Sequence, residues 1–203
     1  MSRVCVLIGG GLDSAAAVAR ALERGDEVHP LYVRCGFVWE RAELRWVARQ
    51  MKALKSPRLK PLFVMGARDL CRWPGHWSRG GAGAPDEDSA WDAVYLPGRN
   101  FLLFACAASY CRRTGVRRVA IGTLRGNPFP DATPLFRRRT AALVRDSYGV
   151  TLSFEAPFSR WSKARVARRW PRLAELAFSC ISPRGLSPCG KCTKCAERRL
   201  ETA

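Results

Sequence analysis

The sequence predicts an α/β fold, a Rossmann-like parallel sheet flanked by helices with a small metal-binding tail at the C-terminus. Three observations predict it. Strand-like and helix-like segments alternate along most of the chain. A glycine-rich turn joins the first strand to the first helix. Four of the nine cysteines crowd into the last 24 residues.

Val4–Ile8 is a short apolar run that ends in glycines, the pattern of a buried strand. Asp13 or Ser14 then caps a helix over Ser14–Arg24, which Gly25 closes. Glu27–Val33 reads as a second strand. Arg41–Leu54 places Leu44, Val47, Ala48 and Met51 at helical spacing. Leu59–Val64 reads as a third strand, and this alternation implies βαβ units. Residues 72–90 break the pattern with Trp73, His76, Trp77, a glycine-rich stretch and Asp86-Glu87-Asp88. A loop of that length is functional or disordered more often than it is a plain connector. Phe101–Cys111 is apolar nearly all round and predicts a buried helix. Arg118–Gly122, Leu135–Tyr148 and Thr151–Phe154 continue as strand, helix and strand. Ser162–Arg169 predicts a basic helix stopped near Trp170-Pro171. The organisation expected is an α/β domain over 1–160 and a basic, cysteine-rich tail over 161–203.

The formal charge of +18 is uneven. Residues 1–100 carry 15 basic and 11 acidic residues, a net of +4; residues 101–203 carry 20 and 6, a net of +14. A basic half suits a polyanionic partner, either a nucleic acid or an acidic protein face. Arginine-rich coding would give the same balance, so charge alone does not name the substrate. No segment reaches the roughly 18 apolar residues of a membrane span, and no secretory leader is evident, so a cytoplasmic protein is expected.

Gly9-Gly10-Gly11-Leu12-Asp13-Ser14 follows the first strand. Glycines let the backbone approach a ligand, and the N–H groups of such a turn face an anion. No Gly-Lys-Ser/Thr follows, so the motif is not of the Walker type, and its spacing is not G-x-G-x-x-G. Cys180, Cys189, Cys192 and Cys195 supply four thiolates, and Gly190 permits the turn between the second and third. Four sulfurs suit a closed, structural Zn²⁺ site, although an iron–sulfur cluster uses the same ligands.

The turn resembles the Ser-Gly-Gly-x-Asp-Ser motif of the PP-loop ATP pyrophosphatases, with Gly10, Gly11, Asp13 and Ser14 matching and Gly9 in place of serine. Further along, Val28-His29-Pro30-Leu31, Cys35-Gly36, Glu40, Glu43-Leu44, Leu96-Pro97-Gly98-Arg99-Asn100, Ile121-Gly122, Pro130-Asp131 and the cysteine tail together resemble the 7-cyano-7-deazaguanine synthase family. That resemblance implies an adenine nucleotide alpha hydrolase-like fold and an ATP-dependent carbon–nitrogen ligase. It implies ATP with Mg²⁺ at Ile8, Gly9, Gly10, Gly11, Leu12, Asp13, Ser14, Pro97, Gly98, Arg99, Asn100 and Gly122. It implies Asp13, Ser14 and Arg99 as catalytic residues, structural Zn²⁺, a small deazapurine substrate and a homodimer. The chain departs from the family at Arg34-Cys35-Gly36-Phe37-Val38-Trp39 and at Pro130-Asp131-Ala132-Thr133, on the expected substrate side. Three alternatives follow: a relative that joins the deazapurine to a protein amine, as anti-phage homologues suggest; a PP-loop enzyme that modifies tRNA; or a zinc-bearing nucleic-acid binder without chemistry. His29 is expected to be structural. His76, Trp73, Trp77 and Trp91 are candidates to touch substrate.

Overall fold

The computed structural model describes residues 2–71 and 75–202, apart from the side chains of Cys71, Trp91 and 200–202. Five strands, β1 (Arg3–Leu7), β2 (Glu27–Arg34), β3 (Phe63–Gly66), β4 (Arg118–Ala120) and β5 (Ser153–Glu155), form one parallel sheet in the order β3-β2-β1-β4-β5. The helices are α1 (Leu12–Glu23), α2 (Glu40–Ala53), α3 (Arg99–Thr114), α4 (Pro134–Tyr148), α5 (Lys163–Arg169), α6 (Pro171–Glu175) and α7 (Thr193–Thr202).

β1 shows why the sheet is buried on both faces. Side chains alternate across a strand, so Cys5 and Leu7 join one core with Leu31, Phe104 and Val144, while Val4, Val6 and Ile8 join the other with Val18, Val28 and Val47. A strand with two buried faces must be apolar throughout. Helices α3 and α4 contribute to the first core; α1, α2, α5 and α6 contribute to the second. Ala15, Ala16, Ala17, Ala19 and Ala21 of α1 are all buried, and these small side chains let the helix lie close to the sheet.

Several boundaries differ from the sequence reading. Helix α1 starts at Leu12 with Gly11 in the cap position and no side-chain cap, so neither Asp13 nor Ser14 caps it. The third strand is Phe63–Gly66; Leu59 makes only an isolated bridge to Val28. Helix α3 is buried on one side only, since Phe101 is 44% exposed. Pro171 ends α5 but opens α6, because a proline is tolerated in a first helical turn. The cysteine tail also carries a helix, α7, that the sequence reading did not anticipate. No helix among the described residues is long and apolar enough to cross a membrane.

At the amino-terminal edge of the sheet, Arg118 binds Ser2, Asp26 and Glu155. It donates to Glu155 through Nε at 2.8 Å and Nη2 at 3.1 Å, and to Asp26 Oδ1 at 3.1 Å. Burial alone would raise the Glu155 pKa, but the bidentate guanidinium outweighs it and holds the carboxyl below its ordinary value. His29 bonds Tyr110 and Glu27 at 3.0 Å each. Arg118→Ala strands the buried Asp26 carboxylate and is expected to lower stability by roughly 3 kcal/mol, read by denaturant unfolding. A change below about 0.5 kcal/mol would show that the network is solvated.

Candidate active site

The strand order reverses between β1 and β4, and ligands of open α/β sheets sit at the carboxyl ends of strands at such a switch point. The glycine turn leaves β1 there, and Gly122 follows β4. A cleft of about 730 Å³ opens between them, and a smaller cavity of about 200 Å³ adjoins it. Gly9, Gly11, Asp13, Arg99 and Gly122 line both. Leu12 and Asn100 line the larger one; Ile8 and Ser14 line the smaller. Gly10, Pro97 and Gly98 are not on either wall.

Gly10 adopts φ 74°, the left-handed conformation that makes its turn possible without strain. Its carbonyl accepts from Gln50 Nε2 at 2.6 Å and from Phe178 N at 2.9 Å. Gln50 Nε2 also donates to Leu176 O at 3.1 Å, so the wholly buried amide ties the loop, α2 and the tail together. Both partners are carbonyls, which fixes the amide orientation and leaves Gln50 Oε1 buried without a hydrogen bond. Gly122 is required by contact: a Cβ there would stand 2.7 Å from Ser14 N and 2.8 Å from Asp13 C. The first turn of α1 therefore rests directly on the end of β4.

Ser14 Oγ accepts from Gly9 N at 3.3 Å and donates to Gly11 O at 3.0 Å, bracing the turn. The uncapped start of α1 leaves its first N–H groups to an external acceptor, and the helix dipole favours a negative one. Arg99 stands opposite, at the start of α3. Gly98 (φ 75°) makes the turn into that helix, and Asp131 receives Asn100 N at 3.2 Å and Asn100 Nδ2 at 3.1 Å.

Glu43, which the sequence marks only as part of the Glu43-Leu44 pair, is the site residue that emerges from the fold. It lines both cavities, and its Oε2 accepts from Tyr32 OH at 2.6 Å. Burial pushes its pKa up to about 8, opposed by the Tyr32 hydrogen bond and the charge of Arg99. Trp39 also lines the cleft, stacked on Phe37 (ring centroids 4.7 Å) and on Trp77 (5.7 Å). His76 accepts from Ser78 N and caps the short 3-10 turn Trp77–Arg79; it is not on either wall. Trp73 and the Trp91 side chain lie outside the described residues.

The tail forms another wall through Ser179, Thr193 and Lys194. Beside it, the Sγ atoms of Cys180, Cys189, Cys192 and Cys195 lie within 4.8 Å of one another. Cys180–Cys192 is 3.9 Å and Cys189–Cys195 is 4.0 Å. Zinc–sulfur bonds of about 2.3 Å give a tetrahedral edge of about 3.8 Å, so the four sulfurs fit a closed zinc site. Cys189 N donates to Cys180 Sγ at 3.3 Å, the kind of support that orients a thiolate ligand. The loop after residue 75 is fastened to this tail: Thr193 Oγ1 bonds Asp86 O, and Arg199 pairs with Glu87.

The sheet and its switch-point turn place the chain among Rossmann-like proteins of the adenine nucleotide alpha hydrolase type. Two solved structures share that fold. One is the predicted subunit of tRNA methyltransferase from Methanocaldococcus jannaschii (TM-score 0.55, 14% identity, 90% of this chain and 82% of that one). The other is a 4-thiouridine synthetase in an RNA complex with bound ATP (TM-score 0.56, 16% identity, 99% of this chain and 50% of that one). At these identities the likeness establishes the fold alone. The family model described as "Queuosine biosynthesis protein QueC" matches residues 3–201. The 7-cyano-7-deazaguanine synthase of Parasynechococcus marenigrum is 32% identical over 208 residues (95% of this chain, 88% of that protein). That of Halobacterium salinarum is 32% identical over 218 residues (97% and 89%). The chain belongs to the QueC family.

Purified protein is expected to carry one zinc per chain, measured by elemental analysis. Chelation should speed amide exchange both around Cys180–Cys195 and in 75–90, because the loop hangs on the tail. Faster exchange confined to the cysteines would contradict that coupling.

Proposed function

We propose that the chain binds ATP with Mg²⁺ in this cleft and adenylates the carboxylate of 7-carboxy-7-deazaguanine. A nitrogen nucleophile then gives the amide and the nitrile, 7-cyano-7-deazaguanine. The observation that carries this reading is the uncapped start of α1 at the switch point, with Arg99 facing it across a cleft of about 730 Å³. A cleft of that size suits a nucleotide beside a purine-sized base.

The chemistry is ordered by charge. The N–H groups at Gly11 and Leu12 receive phosphate oxygens, and the glycines keep side chains out of the way. A substrate carboxylate oxygen attacks the α-phosphorus, the bond to the β-phosphate oxygen breaks, and pyrophosphate leaves. Negative charge builds on the α-phosphate oxygens in the transition state, where fixed donors are most effective. Arg99 has the planar fork that suits either a phosphate or the substrate carboxylate. Mg²⁺ enters as part of the nucleotide substrate and spreads charge over its phosphates. Ammonia attacks the acyl adenylate, AMP departs, and the amide remains. The amide oxygen then attacks the α-phosphorus of a second ATP, pyrophosphate leaves, and AMP departs with that oxygen as the nitrogen gives up two protons, leaving the nitrile.

A second reading rests on the substrate side. The wall formed by Trp39, Phe37 and Trp77 is aromatic, and the C-terminal half is strongly basic. Those features suit an acceptor amine on an acidic protein partner in place of ammonia. The test is a mass-resolved reaction with ATP, Mg²⁺ and 7-carboxy-7-deazaguanine, with and without ammonia. Formation of AMP together with the nitrile is the expected result. AMP with only adenylate or amide would move the acceptor to a protein amine, and no AMP at all would sink the deazapurine reading.

A further inference from the structure

The glycine turn lacks a free side-chain donor. Gly9, Gly10 and Gly11 have no side chains, and the Ser14 hydroxyl already donates to Gly11 O. The nearest atom to a Cβ built on Gly9 is Glu43 Oε1, at 3.9 Å. Gly10 packs on the same turn of α2, its own Cβ position lying 3.5 Å from Glu43 O. The Glu43 carboxyl therefore stands beside the turn, in contact distance of the position a residue-9 side chain would take.

We propose that Glu43, in its neutral acid form, supplies the missing donor and hydrogen-bonds a phosphate oxygen of the bound nucleotide through Oε1. The orientation of its proton follows from its partner. Tyr32 OH donates to Oε2, so the acid proton belongs on Oε1, the oxygen nearer the turn. Tyr32 keeps its own proton, because burial and the neighbouring carboxyls raise its pKa well above the ordinary phenol.

The charged groups around Glu43 are few. Tyr32 faces it from β2, Glu40 from its own helix and Arg99 from α3, while Asp13 of α1 shares both cavities. Burial and Glu40 favour the neutral form; Tyr32 and Arg99 oppose it, and the balance sits at about 8. A polyphosphate in the cleft adds negative charge and favours the acid further. An ionised Glu43 would repel the phosphates, unless it served as a ligand to the magnesium.

This inference rests on the ATP reading above, and the test separates the two. Mg·ATP affinity is measured by calorimetry for the wild-type chain, Glu43→Gln, Glu43→Ala and the double variant Gly9→Ser/Glu43→Ala. Thermal melting checks that each folds. A lost hydrogen bond to an anion should weaken Glu43→Ala about tenfold. Glu43→Gln keeps a neutral donor and should stay within about twofold. Gly9→Ser should recover most of the loss by adding a hydroxyl in the same space. Wild-type affinity should fall as pH rises through about 8, where the acid ionises, and Glu43→Gln should not follow. If Glu43→Ala does not fold, the pH series of wild type against Glu43→Gln decides alone. Equal affinity in Glu43→Ala and wild type would overturn the inference while leaving ATP binding intact. A Glu43→Gln variant as weak as Glu43→Ala would overturn it in favour of a magnesium ligand. A wild-type chain that binds no ATP overturns both.

Discussion

The Gln50 side-chain amide lies where three parts of the chain meet, and the cleft depends on it. It donates at once to Gly10 in the turn after β1 and to Leu176 just beyond α6. Phe178 N completes the clamp on the same Gly10 carbonyl. A buried amide that spans two carbonyls cannot be replaced by water without reopening the core, so the turn, α2 and the tail take fixed relative positions. The tail is thereby a wall of the cleft. Its cysteines close a four-sulfur site behind that wall, and its Thr193 and Arg199 hold the loop that carries Trp77.

The two ends of the sheet serve different needs. At the amino-terminal edge, Arg118 pairs with both Glu155 and Asp26. At the carboxyl edge, the start of α1 is left without a side-chain cap, and Glu43 is half-buried with its pKa raised by burial. A helix start without a cap gives up roughly 1 kcal/mol relative to one with a good cap. A sequence optimised for stability alone would fill that position, and a site built to receive an anion leaves it open.

Much of this was legible in the sequence because the signals are local. Val4–Ile8 reads as a strand from five consecutive apolar residues. Gly9-Gly10-Gly11 marks the turn from composition, and the C-x₂-C-x₂-C spacing at 189–195 marks the metal site. What stayed hidden depends on tertiary contact. Gln50 looks like a surface residue of an amphipathic helix until Gly10 and Leu176 are placed against it. Tyr32 gives only a polar tip in a buried strand, and nothing in the sequence pairs it with Glu43. Gly122 was named from a motif, but its physical reason, the 2.7 Å approach to Ser14 N, is visible only in three dimensions. The start of α1 was misplaced because Asp13 and Ser14 are good caps, and the choice of Gly11 is made by the turn and not by propensity.

The central claim is that the nucleotide phosphates sit on the turn between β1 and α1. The most direct measurement is an amide NMR titration of the full chain with Mg²⁺ and a non-hydrolysable ATP analogue. The account predicts the largest shifts at Gly9–Ser14, Arg99 and Gly122, with the Gln50 side-chain amide following through Gly10. Shifts confined to the basic surface of α5 and α7, with the turn unmoved, would contradict it.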